Sequence, residues 1–310
     1  MRVLGPSSAI PDDARGAALA LGNFDGVHIG HQAVIASARG VALAHGMTLA
    51  AAVFEPHPRR FFQPDLPPFR LQTQRQRARA LSTCGVMEVF EIGFDEGLAA
   101  SSDEAFATQV LGELLGVRHV SVGADFRFGR ARTGDVARLS AYGTRLGFTV
   151  HAVEPVGGTE KVSSTMIRGA LARGDMDEAS RLLSRPWAIE GEVQRGFARG
   201  RAFGFPTANM SLGDYTPPRL GIYAVRVDLG DGVLLPGVAS IGVNPTVGAL
   251  AQPLLETHLF DFSGDLYGRT IEVELIAFLR DEAKFPDTET LKAQMRQDVV
   301  NARTALARAS

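Results

Sequence analysis

The chain carries one cysteine, Cys84, in 310 residues. An intramolecular disulfide is excluded, and such usage fits a reducing compartment. A dominant charge is missing as well: 32 Lys and Arg stand against 34 Asp and Glu, for a formal net charge of −2, with no basic tail. That balance gives no electrostatic ground for generic nucleic-acid binding. Long apolar runs are absent. Met1-Arg2-Val3-Leu4-Gly5-Pro6-Ser7 holds no apolar segment of signal-peptide length, and no later run approaches a membrane span. The expectation is a cytoplasmic protein with neither membrane nor nucleic acid as partner. A Walker A ending, Gly-Lys followed by Ser or Thr, is also lacking.

What is present reads as globular. Hydrophobic residues make up 45% and charged residues 21%, and the length suits one large or two ordinary domains with proper cores. The first informative stretch runs from Gly22 to His31. An apolar strand pattern, Ala17 to Leu21, precedes it, and Val34, Ala38, Val41 and Ala42 follow at helical spacing. Strand, glycine-rich turn and helix in that order aim backbone N–H groups and a helix's positive end at a phosphate. Gly22, Gly26 and Gly30 allow close approach and positive φ. His28 and His31, three apart, can share one side of the first helical turn. A zinc site and plain polar surface are the other readings of two such histidines.

Further strands are expected at Met47–Phe54, Val86–Ile92, His119–Val122 and Phe148–Val153. Helices are expected at Gln72–Ser82, from a Ser101/Glu104 capping box through Leu115, and at Val136–Leu146. In Glu55-Pro56-His57-Pro58 the prolines argue against regular structure. Alternating strands and helices call for a mainly parallel sheet covered on both faces, with ligands beyond the strands' carboxyl ends. Gly22–His31, Phe54–Pro58 and Gly123–Gly129 all follow strands and should converge on one crevice. Lys161 to Arg168 gathers a lysine, three hydroxyls and an arginine ahead of a helix, which reads as a helix cap or as a phosphate clamp.

The pattern changes near residue 185. Beyond it come short strands, a Gly230-Asp231-Gly232 hairpin signal and a closing helix from Asp287 with Leu291, Met295, Val299, Ala302 and Leu306 on one face. This suggests a barrel or sandwich crossed by a helix. In Gly196–Asn209, Arg199 and Arg201 among glycines suit a phosphate, and Thr207 and Asn209 can offer oxygens to magnesium.

These motifs carry a resemblance. Asn23-Phe24-Asp25-Gly26 with His28-Ile29-Gly30-His31, Phe54-Glu55-Pro56-His57-Pro58, Asp125-Phe126-Arg127-Phe128-Gly129 and Lys161–Arg168 resemble the FAD synthetase module of bacterial bifunctional riboflavin kinase/FAD synthetases. Pro206-Thr207-Ala208-Asn209, Ile241–Thr246, Glu256-Thr257-His258, Asp265–Gly268 and Phe278-Leu279-Arg280 resemble their kinase module. Ala131 and Val247 depart from it, standing where glycine and phenylalanine are common. The resemblance implies an α/β plus β architecture: a Rossmann-like nucleotidyltransferase domain over 1–184 and a small antiparallel barrel with a terminal helix over 185–310. It implies phosphorylation of riboflavin to FMN and adenylylation of FMN to FAD, with ATP as co-substrate and Mg²⁺ as cofactor. By the same resemblance His28, His31 and Glu256 are catalytic. ATP falls to Gly22, Asn23, Phe24, Asp25, Gly30, Ser163, Ser164, Thr165, Arg168, Gly200 and Arg201. The flavin falls to Phe54, Pro56, His57, Asp125 and Phe128, and the metal to Thr207 and Asn209. The rival readings are a chain with one live module and one regulatory module, a class I aminoacyl-tRNA synthetase relative, and a flavin carrier.

Overall fold

A computed structural model describes residues 1–6, 8–157, 161–195, 205–243 and 253–309. The chain packs as two compact units, Met1–Leu66 with Gln74–Ser163 and Pro67–Thr73 with Ser164–Ser310.

The first unit is built on six parallel strands: β1 (Arg2–Leu4), β2 (Ala18–Leu21), β3 (Leu49–Glu55), β4 (Glu88–Gly93), β5 (His119–Gly123) and β6 (Thr149–Val153). Their order is β1-β4-β3-β2-β5-β6. Period-two alternation divides the core between two faces. Leu19, Leu21, Ala50, Ala52, Val120 and Val122 join one cluster, while Ala18, Ala20, Ala51 and Val53 join another with α1 (Ile29–His45). The chain steps outward from β2 to β3 and β4, then returns to lay β5 on the other side of β2. The crevice beyond β2 and β5 is therefore the topological switch point, where such sheets take ligands.

Three local details differ from the pattern read in the sequence. Pro58 opens a short helix, α2 (Pro58–Phe62), instead of breaking structure. At the first helical position its missing N–H has no partner to lose. Ser102 rather than Ser101 caps the next long element, its side chain accepting from Ala105 N. After α4 (Glu96–Ala100), that element begins as α5 (Asp103–Ala105) and continues as a π-helix over Phe106–Leu114. The wider π turn keeps Phe106, Val110, Leu111 and Leu115 buried but rotates Leu114 outward to 45% exposure. Two helices keep close to their expected limits, α3 (Gln74–Thr83) and α6 (Val136–Leu146).

At the opposite end of β5 lies a polar chain centred on buried His119 and Ser121. His119 Nδ1 meets Thr149 Oγ1 at 2.8 Å, His119 Nε2 meets Ser121 Oγ at 3.0 Å, and Ser121 Oγ meets Ser37 Oγ at 2.9 Å. Burial, followed by the charges of His151 and His45, holds His119 below its ordinary pKa. Below about pH 6.5 the unfolded chain takes a proton that the folded one resists, so stability is lost as pH falls through that value. Urea melts at pH 7.5, 6.5 and 5.5 should show this decline, with a shallower one in His119→Gln. An equal slope in the variant would place its origin elsewhere.

The second unit opens with α7 (Ser164–Arg173) and α8 (Met176–Leu183), the latter capped by Asp175. Six antiparallel strands follow: β7 (Trp187–Glu192), β8 (Ala208–Ser211), β9 (Gly221–Asp228), β10 (Leu234–Gly242), β11 (Leu254–Leu259) and β12 (Thr270–Arg280). Their order is β7-β12-β9-β10-β11-β8, and a bridge between Gln194 and Asn209 brings the ends together as a barrel. α9 (Thr288–Arg308), capped by Asp287, packs on the barrel through Ala302 and Leu306 against Ala224, Phe260 and Ile276. The segment Pro67–Thr73 is part of this unit. Arg70 N donates to Asp214 O and Thr216 N to Arg70 O, at 2.9 and 2.8 Å. Trp187 Nε1 donates to Leu71 O at 2.7 Å and Thr73 Oγ1 to Glu190 at 3.0 Å. This use of the backbone is why α3 starts at Gln74 and not at Gln72. No helix among the described residues is long and apolar enough to cross a membrane.

Candidate active sites

Beyond β2 the backbone turns sharply. Gly26 has φ +95, but Gly22 and Gly30 do not take positive φ; Phe24 (φ +50) and Val27 (φ +44) do so instead. Left-handed geometry is costly for a β-branched residue, so the turn stores strain of the kind found at functional sites. Gly30 serves by its missing side chain: a Cβ there would lie 3.2 Å from the His28 ring. His28 caps α1, its Nδ1 accepting from His31 N at 3.3 Å. The neutral His28 ring therefore carries its proton on Nε2. The two imidazoles stack, 3.6 Å between centroids, and Phe24 meets His31 edge-on at 5.3 Å.

Burial, then the charges of His28 and Lys161, holds His31 well below the ordinary histidine pKa. Among the described residues, His31 Nδ1 and Asn23 Oδ1 are buried polar atoms without a hydrogen-bond partner. Such atoms are costly unless a ligand meets them. Lys161 pairs with Asp125 of the segment after β5 and holds that carboxyl below its usual range. In the sequence alone Lys161 stands only as one cation of the clamp segment. In the loop after Gly129, Ala131 takes φ +53 and ψ +22, the conformation glycine favours, so this departure from the family pattern leaves the left-handed turn in place.

Phe54 and Phe128 are brought together through Phe106, with centroids 6.1 and 5.6 Å from it. Phe126 stacks on Phe128, and Phe61 and Phe62 pack edge-on against Phe94. Phe62 is 64% exposed. The Phe61-Phe62 pair in the sequence was the available signal for this aromatic surface. His57 caps α2. Of the clamp residues, Ser163 ends the first unit, while Ser164, Thr165 and Arg168 belong to α7 of the second. Arg168 Nε donates to Phe69 O at 2.7 Å.

In the second unit a cavity of about 410 Å³ opens on one side of the barrel, within the range of small-molecule sites. Glu256 on β11 is paired in register with Asn209 on β8 and with Ser240 on β10. Residues directly opposite share a face, and all three line the cavity with Thr207. Asn209 Nδ2 donates to Thr207 O at 3.2 Å, which orients the amide oxygen. Arg280, Glu282, Phe285, Met295 and Asp298 complete much of the remaining wall; the sequence motifs assign them no site role. Gly200 and Arg201, with Arg199, Asn244–Thr246 and Val247, lie outside the described residues.

The FAD synthetase family profile matches residues 10–166 and the riboflavin kinase profile residues 183–306. The chain belongs to the bifunctional riboflavin kinase/FMN adenylyltransferase family. It is 44% identical to the Pseudomonas fluorescens bifunctional riboflavin kinase/FMN adenylyltransferase, covering 94% of both chains. With the Haemophilus influenzae protein of the same name it shares 41%, over 93% of this chain and 94% of the relative. A crystal structure titled macrolide-efflux protein, from Streptococcus pneumoniae, has the same fold, with a TM-score of 0.86 at 29% identity over 97% and 98% of the two chains. As a member of the bifunctional riboflavin kinase/FMN adenylyltransferase family, the chain phosphorylates riboflavin and adenylylates FMN. Its substrates and products are riboflavin, FMN, FAD and ATP.

Proposed function

We propose that the two reactions are divided along the chain, FMN adenylylation on residues 1–184 and riboflavin phosphorylation on residues 185–310, in the cytoplasm where ATP is supplied. The observation that supports this division is that each compact unit has a constellation of its own: the stacked His28–His31 pair in one and the Asn209–Glu256–Ser240 row in the other.

In the kinase reaction the ribityl 5′-hydroxyl forms a bond to the γ-phosphorus as the bond from that phosphorus to ADP breaks. The hydroxyl is neutral and must lose a proton, which the Glu256 carboxylate accepts. ATP-dependent transfer implies a divalent cation. Thr207 and Asn209 offer hydroxyl and amide oxygens beside a carboxylate, a hard, all-oxygen set that fits Mg²⁺. These two residues would hold the ion, which when bound neutralises phosphate charge.

In the second reaction the FMN phosphate, already an anion, forms a bond to the α-phosphorus while the bond to pyrophosphate breaks. No proton has to be removed, so the protein's task is alignment and charge stabilisation. His28, His31 and Lys161 receive the phosphates. A phosphate oxygen would give buried His31 Nδ1 the partner it lacks and raise the imidazole's proton affinity. Gly22, Asn23, Phe24, Asp25 and Gly30 shape the nucleotide pocket, Ser163, Ser164, Thr165 and Arg168 clamp the phosphates, and Gly200 and Arg201 serve ATP in the kinase reaction. Phe54, Pro56, His57, Asp125 and Phe128 face the flavin.

The test is chromatography of a timed reaction with riboflavin, ATP and magnesium. Wild type should form FMN first and FAD later, and His28→Ala should stop at FMN. FAD made by His28→Ala at the wild-type rate would remove the histidine pair from the chemistry. If wild type binds flavin and makes neither product, the division of labour fails altogether.

A further inference from the structure

The wall of the kinase cavity contains an ion pair that no step of the phosphoryl transfer uses. Arg280, the last residue of β12, donates from Nε to Asp298 Oδ1 at 2.8 Å and from Nη2 to Asp298 Oδ2 at 2.6 Å. Asp298, in the middle of α9, is 4% exposed, and Gln294 Nε2 also donates to its Oδ1 at 3.0 Å. The remaining Arg280 nitrogen donates to Asp281 O, and the guanidinium lies 5.8 Å from the centre of the Phe285 ring.

The placement of Arg280 is built into the strand. β12 pairs with β9 so that Phe278 faces Tyr223 and Arg280 faces Ile222, with Leu279 as an extra residue between them. Without that bulge Leu279 would stand opposite Ile222. Bulges re-aim side chains in this way, and Ile222 lines the cavity, so the bulge turns Arg280 rather than leucine to the cavity side.

α9 is held unevenly. Its carboxyl-terminal half is gripped by the barrel: Val299, Ala302, Ala305 and Leu306 join the cluster with Phe260 and Ile276. Leu291 and Met295, in the amino-terminal half, take no part in that cluster and line the cavity. Asp298 sits where the gripped half meets the cavity half. A bidentate pair in a buried setting fixes both distance and orientation.

We propose that the Arg280–Asp298 pair is a positioning clasp that holds the amino-terminal half of α9 over the cavity and thereby sets its affinity for riboflavin. The clasp touches three pieces of wall at once: the end of β12, the Asp281–Phe285 turn and α9. An apolar, flat substrate part gains from Leu291 and Met295 only when they are held at van der Waals distance. The proposal rests on the reading of this cavity as the riboflavin kinase site.

The experiment is steady-state kinetics of riboflavin phosphorylation by the full chain carrying Asp298→Asn, Arg280→Gln or both. Loss of one charged hydrogen-bonded pair is expected to raise the riboflavin KM about tenfold, with kcat within about twofold and the ATP KM unmoved. The double variant should be no worse than either single one, because the two residues act as a unit. Thermal melting and adenylylation of supplied FMN in the same preparations report whether the chain is folded. Additive effects on KM, or a kcat that falls in step with the melting temperature while KM stays put, would reduce the pair to a structural brace and overturn the proposal. A folded wild type without riboflavin kinase activity would instead remove the cavity's assignment, a separate outcome.

Discussion

Glutamine in place of Glu256 is expected to slow FMN formation from riboflavin by about 10²–10⁴-fold, the usual contribution of a positioned general base. The substitution keeps shape and hydrogen-bonding capacity while removing the site that accepts a proton. Because Glu256 is flanked in register by Asn209 and Ser240, the amide remains in place and riboflavin binding persists. The loss should therefore fall on kcat, with KM near wild type, the signature of an interaction made in the transition state. Initial rates measured by separation of FMN from riboflavin check this. Adenylylation of supplied FMN by the same preparation provides the internal comparison. A variant that keeps wild-type kcat would show that the hydroxyl proton leaves by another route.

Arg77→Met is expected to be the most damaging single change to the first unit. Arg77 on α3 has 3% of its side chain exposed and bonds Glu55 at 2.7 Å and Glu91 at 3.1 Å, themselves 9% and 15% exposed. Removing the cation takes a charged, bidentate-capable partner away from both carboxylates in a poorly hydrated setting, at a cost of about 3–5 kcal/mol. Arg77→Lys should lose less, since a charge remains but the fork that reaches both acids does not. Urea unfolding followed by circular dichroism would read the difference. Adding Glu55→Gln and Glu91→Gln to Arg77→Met should return much of the loss, because the cost lies in uncompensated carboxylate charge rather than in lost volume. Equal instability of the single and triple variants would contradict that account.

Much of the architecture was legible in the sequence because hydrophobic periodicity and turn chemistry agreed with each other. The strand preceding Gly22, the Asp287 helix start and the Gly230-Asp231-Gly232 hairpin were all local signals, and local signals survive folding. What the sequence could not display was imposed from a distance. Phe24 and Val27 take positive φ where glycine would be the easy choice, in the turn that leads to the two stacked histidines. The site behaves likewise. His28 and His31 announce themselves within one motif, but Lys161 acquires its meaning from Asp125, far along the chain, and the Arg280–Asp298 pair from a bulge in β12. The π-helical run from Phe106 shows the reverse error: its apolar spacing fitted an α-helix well enough to hide the wider turn that exposes Leu114.

The Pro67–Thr73 segment has a consequence for how such a protein can be divided or inherited. The chain enters the second unit at residue 67, leaves it after residue 73 and re-enters at residue 164, so no single break in the gene yields two fragments that each own a whole unit. A fragment beginning at residue 185 would present the Trp187 indole N–H and the Thr216 amide N–H without their acceptors, Leu71 O and Arg70 O, which had stayed behind. Shuffling between relatives at one crossover point would mix the borrowed segment of one parent with the barrel of the other, and the match along that seam decides whether the hybrid folds.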